Sequence, residues 1–328
     1  MGSKGDRSPA RDSEQLRLPL AHEALGVGLQ DREPTRAAAA GPGQAGESRT
    51  ASRCPAHGRG RPIVKWAGGK TELLPVLSRN VPRGFVRYIE PFLGGGALFF
   101  HLAPAQAIVA DANPELMHFY RVARDEPEAL FEAVSKMSVS KTEFYRVRRQ
   151  EPSSLGPVGR AARFIYLNKT CFNGLYRVNK RGHFNTPFAG RTNVKILDLR
   201  DLWCASRILL RAELRCSDYK ALLLREVGAG DFVYLDPPYI PIGRYSDFKR
   251  YTKEFFYERD HQELASVFRL LDDRGARVLL SISLHPTSYD LYRGYTVARV
   301  SARRRISCRP TGRGKVTELL ISNYELEA

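Results

Sequence analysis

One apolar run that ends at two prolines constrains this chain more than any other feature. Phe232, Val233, Tyr234 and Leu235 read as a buried strand, and Asp236-Pro237-Pro238-Tyr239 stops it. Neither proline has an N–H to give to a ladder, so the strand cannot run on. Strand-like and helical runs alternate around it. "RYIEPFLGGGALFFHL" reads as strand, Gly-rich turn and helix. "AQAIVADANPELMHFYRVAR" reads as a strand ending at Asp111 and a helix opening near Asn113-Pro114, since proline is favoured at the first helical position. "ELRCSDYKALL" and "DFVYLDPPY" are two more strand-plus-turn units. "YERDHQELASVFRLLDDRG" is an amphipathic helix closed by Gly275, and "ARVLLSIS", "YTVARVSA" and "VTELLISNY" are late strands. This alternation predicts an α/β fold built on a doubly wound, mostly parallel sheet.

Two stretches depart from that rhythm. Residues 1–60 hold "AAAAGPGQAGES", scattered Pro and Gly and no sustained periodicity, which predicts a disordered tail. Residues 125–203 hold polar helical sequence over 126–155, the aromatic helix "RAARFIYLNKTCFNG", and "LYRVNKRGHFNTPFAG", whose alternation around Gly182 predicts a β-hairpin. They read as an inserted, mainly helical subdomain. It separates a first part of the α/β domain, 61–124, from a second, 204–328.

Charge narrows the partners. The chain has 52 Lys and Arg against 35 Asp and Glu, a net of +17. Residues 1–60 hold nine of these basic residues and seven of the acidic ones, a net of +2, so +15 belongs to the rest. That favours an anionic partner, nucleic acid first. Residues 160–200 hold nine Lys or Arg against Asp198 alone, and residues 293–315 hold eight and no acid. A basic run is most often a solvated face. Here the runs interleave with Tyr176, Phe184 and Phe188 or with Gly-rich loops, which points to phosphate contact. Five cysteines without a C-x-x-C pair predict reduced intracellular thiols and no metal site. No apolar run approaches ~20 residues, so no membrane span is expected, and the N-terminus lacks the apolar core of a signal peptide.

The chemistry sits where strands end, since open α/β sheets bind ligands at the carboxyl ends of their strands. "EPFLGGGA" (Glu90–Ala97) follows a strand and opens a helix, so its backbone N–H groups can approach a ligand. Position 99 is Phe where a dinucleotide fingerprint has its third glycine, and a structural turn explains the motif about as well. Asp111, ending the next strand, is placed to accept ribose hydroxyls, or else to cap a helix. Together the two favour a nucleoside-type cofactor. "KWAGGK" (Lys65–Lys70) ends like a phosphate loop, but Val64 stands where its first glycine belongs, which rejects that reading. Asp236 and the Pro237 carbonyl can accept both hydrogens of an exocyclic amine while Tyr239 offers its ring to a planar base. Two acceptors let such a nitrogen become more tetrahedral and free its conjugated lone pair. The plain alternative is a proline-rich strand terminator with Asp as turn former.

"KWAGGK", "EPFLGGGA", "VADAN", "NKTCFNGLYRVNKRGHFNTPF", "DPPY" and "RRRISCRPTGRGKVTELL" occur in that order between Pro62 and Tyr324. In this the chain resembles the Dam-type DNA adenine N6-methyltransferases, the class with its cofactor motif first, an inserted recognition domain and the catalytic tetrapeptide last. The resemblance implies a Rossmann-like methyltransferase sheet and S-adenosyl-L-methionine as cofactor, with Trp66, Lys70, Asp111 and Asp236 lining its pocket. It makes Asp236, Pro237 and Tyr239 catalytic towards an adenine flipped out of the duplex. It gives DNA contacts to Lys65, Asn173, Leu175, Arg177 and Pro187, with Arg177 reading a guanine, and puts adenine-side contacts near Asp218-Tyr219. It also implies double-stranded DNA as partner, a monomer, and a bacterial or phage cytoplasmic setting on the nucleoid. GATC or a related site is the natural target. However, "PFAGRT" carries one residue more than the family's pattern, with Thr192 where Tyr is common. His183, on the hairpin, reads as a surface residue. The other readings are a methyltransferase for cytosine N4 or RNA adenine, and a DNA-binding protein that has lost catalysis.

Overall fold

The apolar runs become strands because both of their faces find a layer to bury against. The computed structural model describes residues 60–179, 181–238, 258–303 and 315–327. In it, Tyr88, Phe232, Tyr234 and Leu279 join one buried cluster, and Ile89, Val233, Leu235 and Leu280 join the other. Successive side chains on a strand point to opposite faces, and continuous apolar runs are what a parallel sheet covered on both sides requires.

Seven strands form the sheet: β1 (Tyr88–Glu90), β2 (Ala107–Asp111), β3 (Ala212–Cys216), β4 (Phe232–Leu235), β5 (Arg277–Ser283), β6 (Thr296–Arg303) and β7 (Lys315–Ser322). Their order is β3-β2-β1-β4-β5-β7-β6. The first five run parallel, while β7 lies antiparallel between β5 and β6. Ile89 of β1 pairs with Ile108 of β2 on one side and Val233 of β4 on the other. The winding therefore reverses between β1 and β4, and the crevice outside their carboxyl ends is the place such a sheet offers a ligand.

The helices are α1 (Leu74–Arg79), α2 (Ala97–Leu102), α3 (Pro114–Asp125), α4 (Pro127–Ser135), α5 (Lys141–Arg149), α6 (Pro157–Thr170), α7 (Leu199–Leu209), α8 (Tyr219–Glu226), α9 (Glu258–Asp273) and α10 (Pro286–Leu291). Apolar residues of α2 through α7 join the first cluster, and those of α8 and α9 join the second. The start of α3 is written in its residues. The Asn113 side chain accepts the N–H groups of Glu115 and Leu116, and Pro114 takes the first helical position. Among the described residues no helix is long and apolar enough to cross a membrane.

Helices α4 to α7 add no strand to the sheet, and α6 packs on α3, α4 and α5. The predicted hairpin turns at Gly182 as expected, but its ladder is sparse. It consists of bridges Cys171–Phe188 and Val178–Phe184, with Asn179 N donating to His183 O at 2.8 Å. Of the five cysteines expected to be reduced, Cys171 and Cys216 are free, and Cys54 and Cys308 lie outside the described residues. The expected tail, apart from Gly60, lies outside the described residues, as does Tyr239.

Candidate active site

Strand β4 ends at Leu235, and the next residue turns its carboxylate into the crevice. Asp236 Oδ1 lies 2.6 Å from Lys70 Nζ and accepts the Ser281 hydroxyl at 3.2 Å. Ser281 in turn lies 3.0 Å from the Tyr234 hydroxyl. Lys70 is buried and also donates to the Gly68 carbonyl at 2.8 Å. Burial raises the Asp236 carboxyl above its usual range, and Lys70 pulls it back down by charge and hydrogen bond. The Asp236 side chain keeps 18% of its surface exposed, so an incoming group can reach it.

One strand over, Glu90 ends β1 and is buried, accepting the Tyr88 hydroxyl at 2.8 Å. Its carboxyl is pushed well above the usual range by burial first, with the Tyr88 hydroxyl working against that shift. The Gly-rich turn follows. Gly94 N donates to Asp111 Oδ2 at 2.9 Å and Asn113 N to Asp111 Oδ1 at 2.8 Å, while the buried Tyr120 hydroxyl holds the Gly94 carbonyl at 2.8 Å. Gly94 has φ +46°, and a Cβ there would sit 2.6 Å from Trp66 Cδ1. Glycine is required twice over, for its backbone and for the indole laid against it. Burial raises the Asp111 carboxyl to about 6 although both backbone donors lower it.

The hexapeptide Lys65–Lys70 joins this pocket to the hairpin. Asn168, fully buried in α6, takes Lys65 N at 2.8 Å with its amide oxygen and gives its amide N–H to Lys65 O at 2.6 Å. A Cβ on Gly174 would come 2.7 Å from Lys65 Cβ. Trp66 stacks on Tyr176 with centroids 6.0 Å apart and a 20° interplanar angle, and Lys70 reaches Asp236. Phe172 N donates to Pro187 O at 2.8 Å, and the Arg177 Nε donates to Asn185 Oδ1 at 2.8 Å. Lys65 and Pro187 are exposed, and Asn173, Leu175 and Arg177 are partly so. Asn173 has φ +55°, a conformation that asparagine tolerates better than most residues.

The structure thus gathers Trp66, Lys70, Asp111 and Asp236 around one crevice, with Lys65, Asn173, Leu175, Arg177 and Pro187 grouped on the adjoining loops. Pro237 is buried beside Asp236. Asp218 is a helix cap, accepting Lys220 N and Ala221 N at the start of α8, and Tyr219 stacks on Phe92 at 5.1 Å. His183 and Thr192 are exposed. Sequence reasoning passed over Glu90, Asn168, Ser281 and Glu318. The signal for Glu318 was a single acid inside the apolar run "VTELLI". Of the basic run 293–315, residues 304–314 lie outside the described residues.

A seven-stranded, mostly parallel sheet with this reversal, Gly-rich turn and carboxylates at its strand ends defines the protein as an α/β enzyme of the methyltransferase type. Comparison with known proteins narrows the class. Residues 66–306 match the D12 class N6 adenine-specific DNA methyltransferases, and the chain belongs to that family. It is 38% identical over 272 residues to the type II methyltransferase M1.LlaDCHI of Lactococcus lactis subsp. cremoris, a match covering 80% of this chain and 95% of that protein. It is 38% identical over 287 residues to the type II methyltransferase M.MjaIII of Methanocaldococcus jannaschii, covering 80% and 99%. Identity to the DNA adenine methylase of Escherichia coli K12 is 32% over 266 residues, covering 80% and 95%. The expected resemblance holds: the protein is a DNA adenine N6-methyltransferase.

Proposed function

We propose that the protein moves the methyl group of S-adenosyl-L-methionine to N6 of an adenine flipped out of duplex DNA. The observation that carries this reading is Asp236 held at 2.6 Å by the buried Lys70, at the carboxyl end of β4 beside the switch point. The residues fit the cofactor. Gly94 leaves room where any side chain would collide with Trp66, Asp111 offers further lone pairs towards ribose hydroxyls, and the carboxylates Asp236 and Glu318 suit a cation. When bound, S-adenosyl-L-methionine supplies a methyl group on a positively charged sulfur.

The protein's own residues do the rest. Asp236 and the Pro237 carbonyl accept the N6 hydrogens and aim the nitrogen. Lys70 fixes the Asp236 rotamer and favours its ionised form. Tyr239 stacks the base, a role that rests on the sequence. Extrusion is required because an enzyme cannot reach the amine of a stacked, paired adenine. Lys65, Asn173, Leu175, Arg177 and Pro187 bind DNA on the subdomain assigned to 125–203, and Arg177 matches a guanine with its planar fork. Relatives named as DNA adenine methylases and type II methyltransferases support adenine in DNA as the substrate, and GATC or a related site is the target that the sequence resemblance implies. The enzyme acts as a monomer in a bacterial or phage cytoplasm.

The test is transfer of labelled methyl to duplex DNA, with the product base identified by mass. N6-methyladenine is expected. Label found only in RNA, or as N4-methylcytosine, overturns the substrate assignment.

A further inference from the structure

Glu318 lies on β7 directly opposite Ser283 of β5, two residues along from Ser281, whose hydroxyl holds Asp236. Alternation puts Ser281, Ser283 and Glu318 on one face of the sheet. Glu318 is only 4% exposed, yet its Oε2 has no hydrogen-bond partner, and neither does the hydroxyl of Ser283. Among the described residues the nearby lysine, Lys70, is paired with Asp236, and Glu90 is another buried acid. The Glu318 charge reaches Asp236, whose carboxyl it pushes upward. A buried carboxylate oxygen without a donor is expensive to keep, and such costs collect where a ligand repays them.

We infer that Glu318 is a second electrostatic carboxylate of the active site, whose buried negative charge, beside Asp236, selects a cationic group in the crevice. This rests on the methyl-donor reading above. As the N–CH₃ bond forms, the C–S bond breaks and its electron pair goes to sulfur. The positive charge passes from sulfur to N6, and one N6 proton then passes to solvent water, leaving a neutral methylated amine. Throughout the transfer one positive charge stays within the field of Asp236 and Glu318, and once the N6 proton has left neither the thioether nor the methylated amine carries a charge for them to hold. Glu318 therefore favours the sulfonium donor over the neutral thioether product.

The test is Glu318→Gln, isosteric but neutral, in the full chain. Dissociation constants for S-adenosyl-L-methionine and for S-adenosylhomocysteine are measured by calorimetry, with Tm of the ligand-free protein. The parent is expected to prefer the sulfonium. The variant should lose about tenfold or more of that preference, as removing a charge from a partly screened site predicts. Its ligand-free Tm should equal or exceed the parent's, because an uncompensated charge has gone. Glu318→Asp should keep most of the preference. An unchanged ratio in Glu318→Gln, or a lower Tm, overturns the inference. A parent that binds neither ligand would instead sink the methyl-donor reading itself.

Discussion

Lys70 Nζ and Asp236 Oδ1 are 2.6 Å apart although they are 166 positions apart in the chain. The lysine comes from the loop before α1 and the aspartate from the turn after β4. The pair closes the crevice at the point where the sheet reverses its winding. Burial works against the Asp236 charge, and Lys70 works for it. On the proposed reading, the carboxylate that receives the amine is thus drawn towards its ionised form by a residue that need not touch the base.

Removing Lys70 therefore has a predicted sign. Lys70 lowers the Asp236 carboxyl, so Lys70→Ala lets it rise. If the ionised form is the active one, the acidic limb of the pH–rate profile moves to higher pH. The rate at saturating substrates falls on the order of 10², in the range for loss of one preorganised charge. An acidic limb that stays in place would show that Lys70 serves another purpose.

Arg177 and Asn185 form a second testable pair. Arg177→Ala should lower cognate over non-cognate discrimination by about 1–3 kcal/mol, the worth of a bidentate guanine contact. Asn185→Ala leaves the guanidinium in place but releases its Nε, so the loss should have the same direction and be smaller. Binding titrations on duplexes altered one base pair at a time measure both. Equal weakening on every duplex would make Arg177 a phosphate contact.

Asp111 predicts a pH dependence of cofactor binding. Its carboxyl is raised to about 6, and the ionised form is the better acceptor for ribose hydroxyls. A ligand that favours the deprotonated form binds more tightly above that value, so affinity should fall as the pH drops through about 6. Asp111→Asn should flatten the dependence and weaken binding at neutral pH. Calorimetry between pH 5 and 8 reads both, and a parent profile as flat as the variant's would contradict the assignment.

What could be read from the sequence was what is decided locally. Pro237 and Pro238 end β4 by their own chemistry, and Asn113-Pro114 caps α3 with the two residues at its start. Asp111 and Asp236 stood out because each ends a strand, while Trp66 and Lys70 entered through the family resemblance. Asn168 did neither. It lies in a helix, and its role depends on meeting the backbone of Lys65, 103 positions away. Glu318 reads as an ordinary exposed strand residue until β7 is known to insert between β5 and β6. At Asp218 the resemblance implied an adenine-side contact, and the structure shows in addition that its side chain caps α8.

The most direct test of the account is the single-turnover rate of Asp236→Asn with cofactor and cognate duplex both saturating. The substitution keeps the size and one acceptor oxygen but turns an –NH₂ donor towards the adenine's own N6 hydrogens, and it removes the charge facing the nitrogen as it becomes cationic. The account predicts a fall of ~10²–10³ in rate with the fold intact. Methyl transfer at close to the parent rate would contradict the central role of that carboxylate.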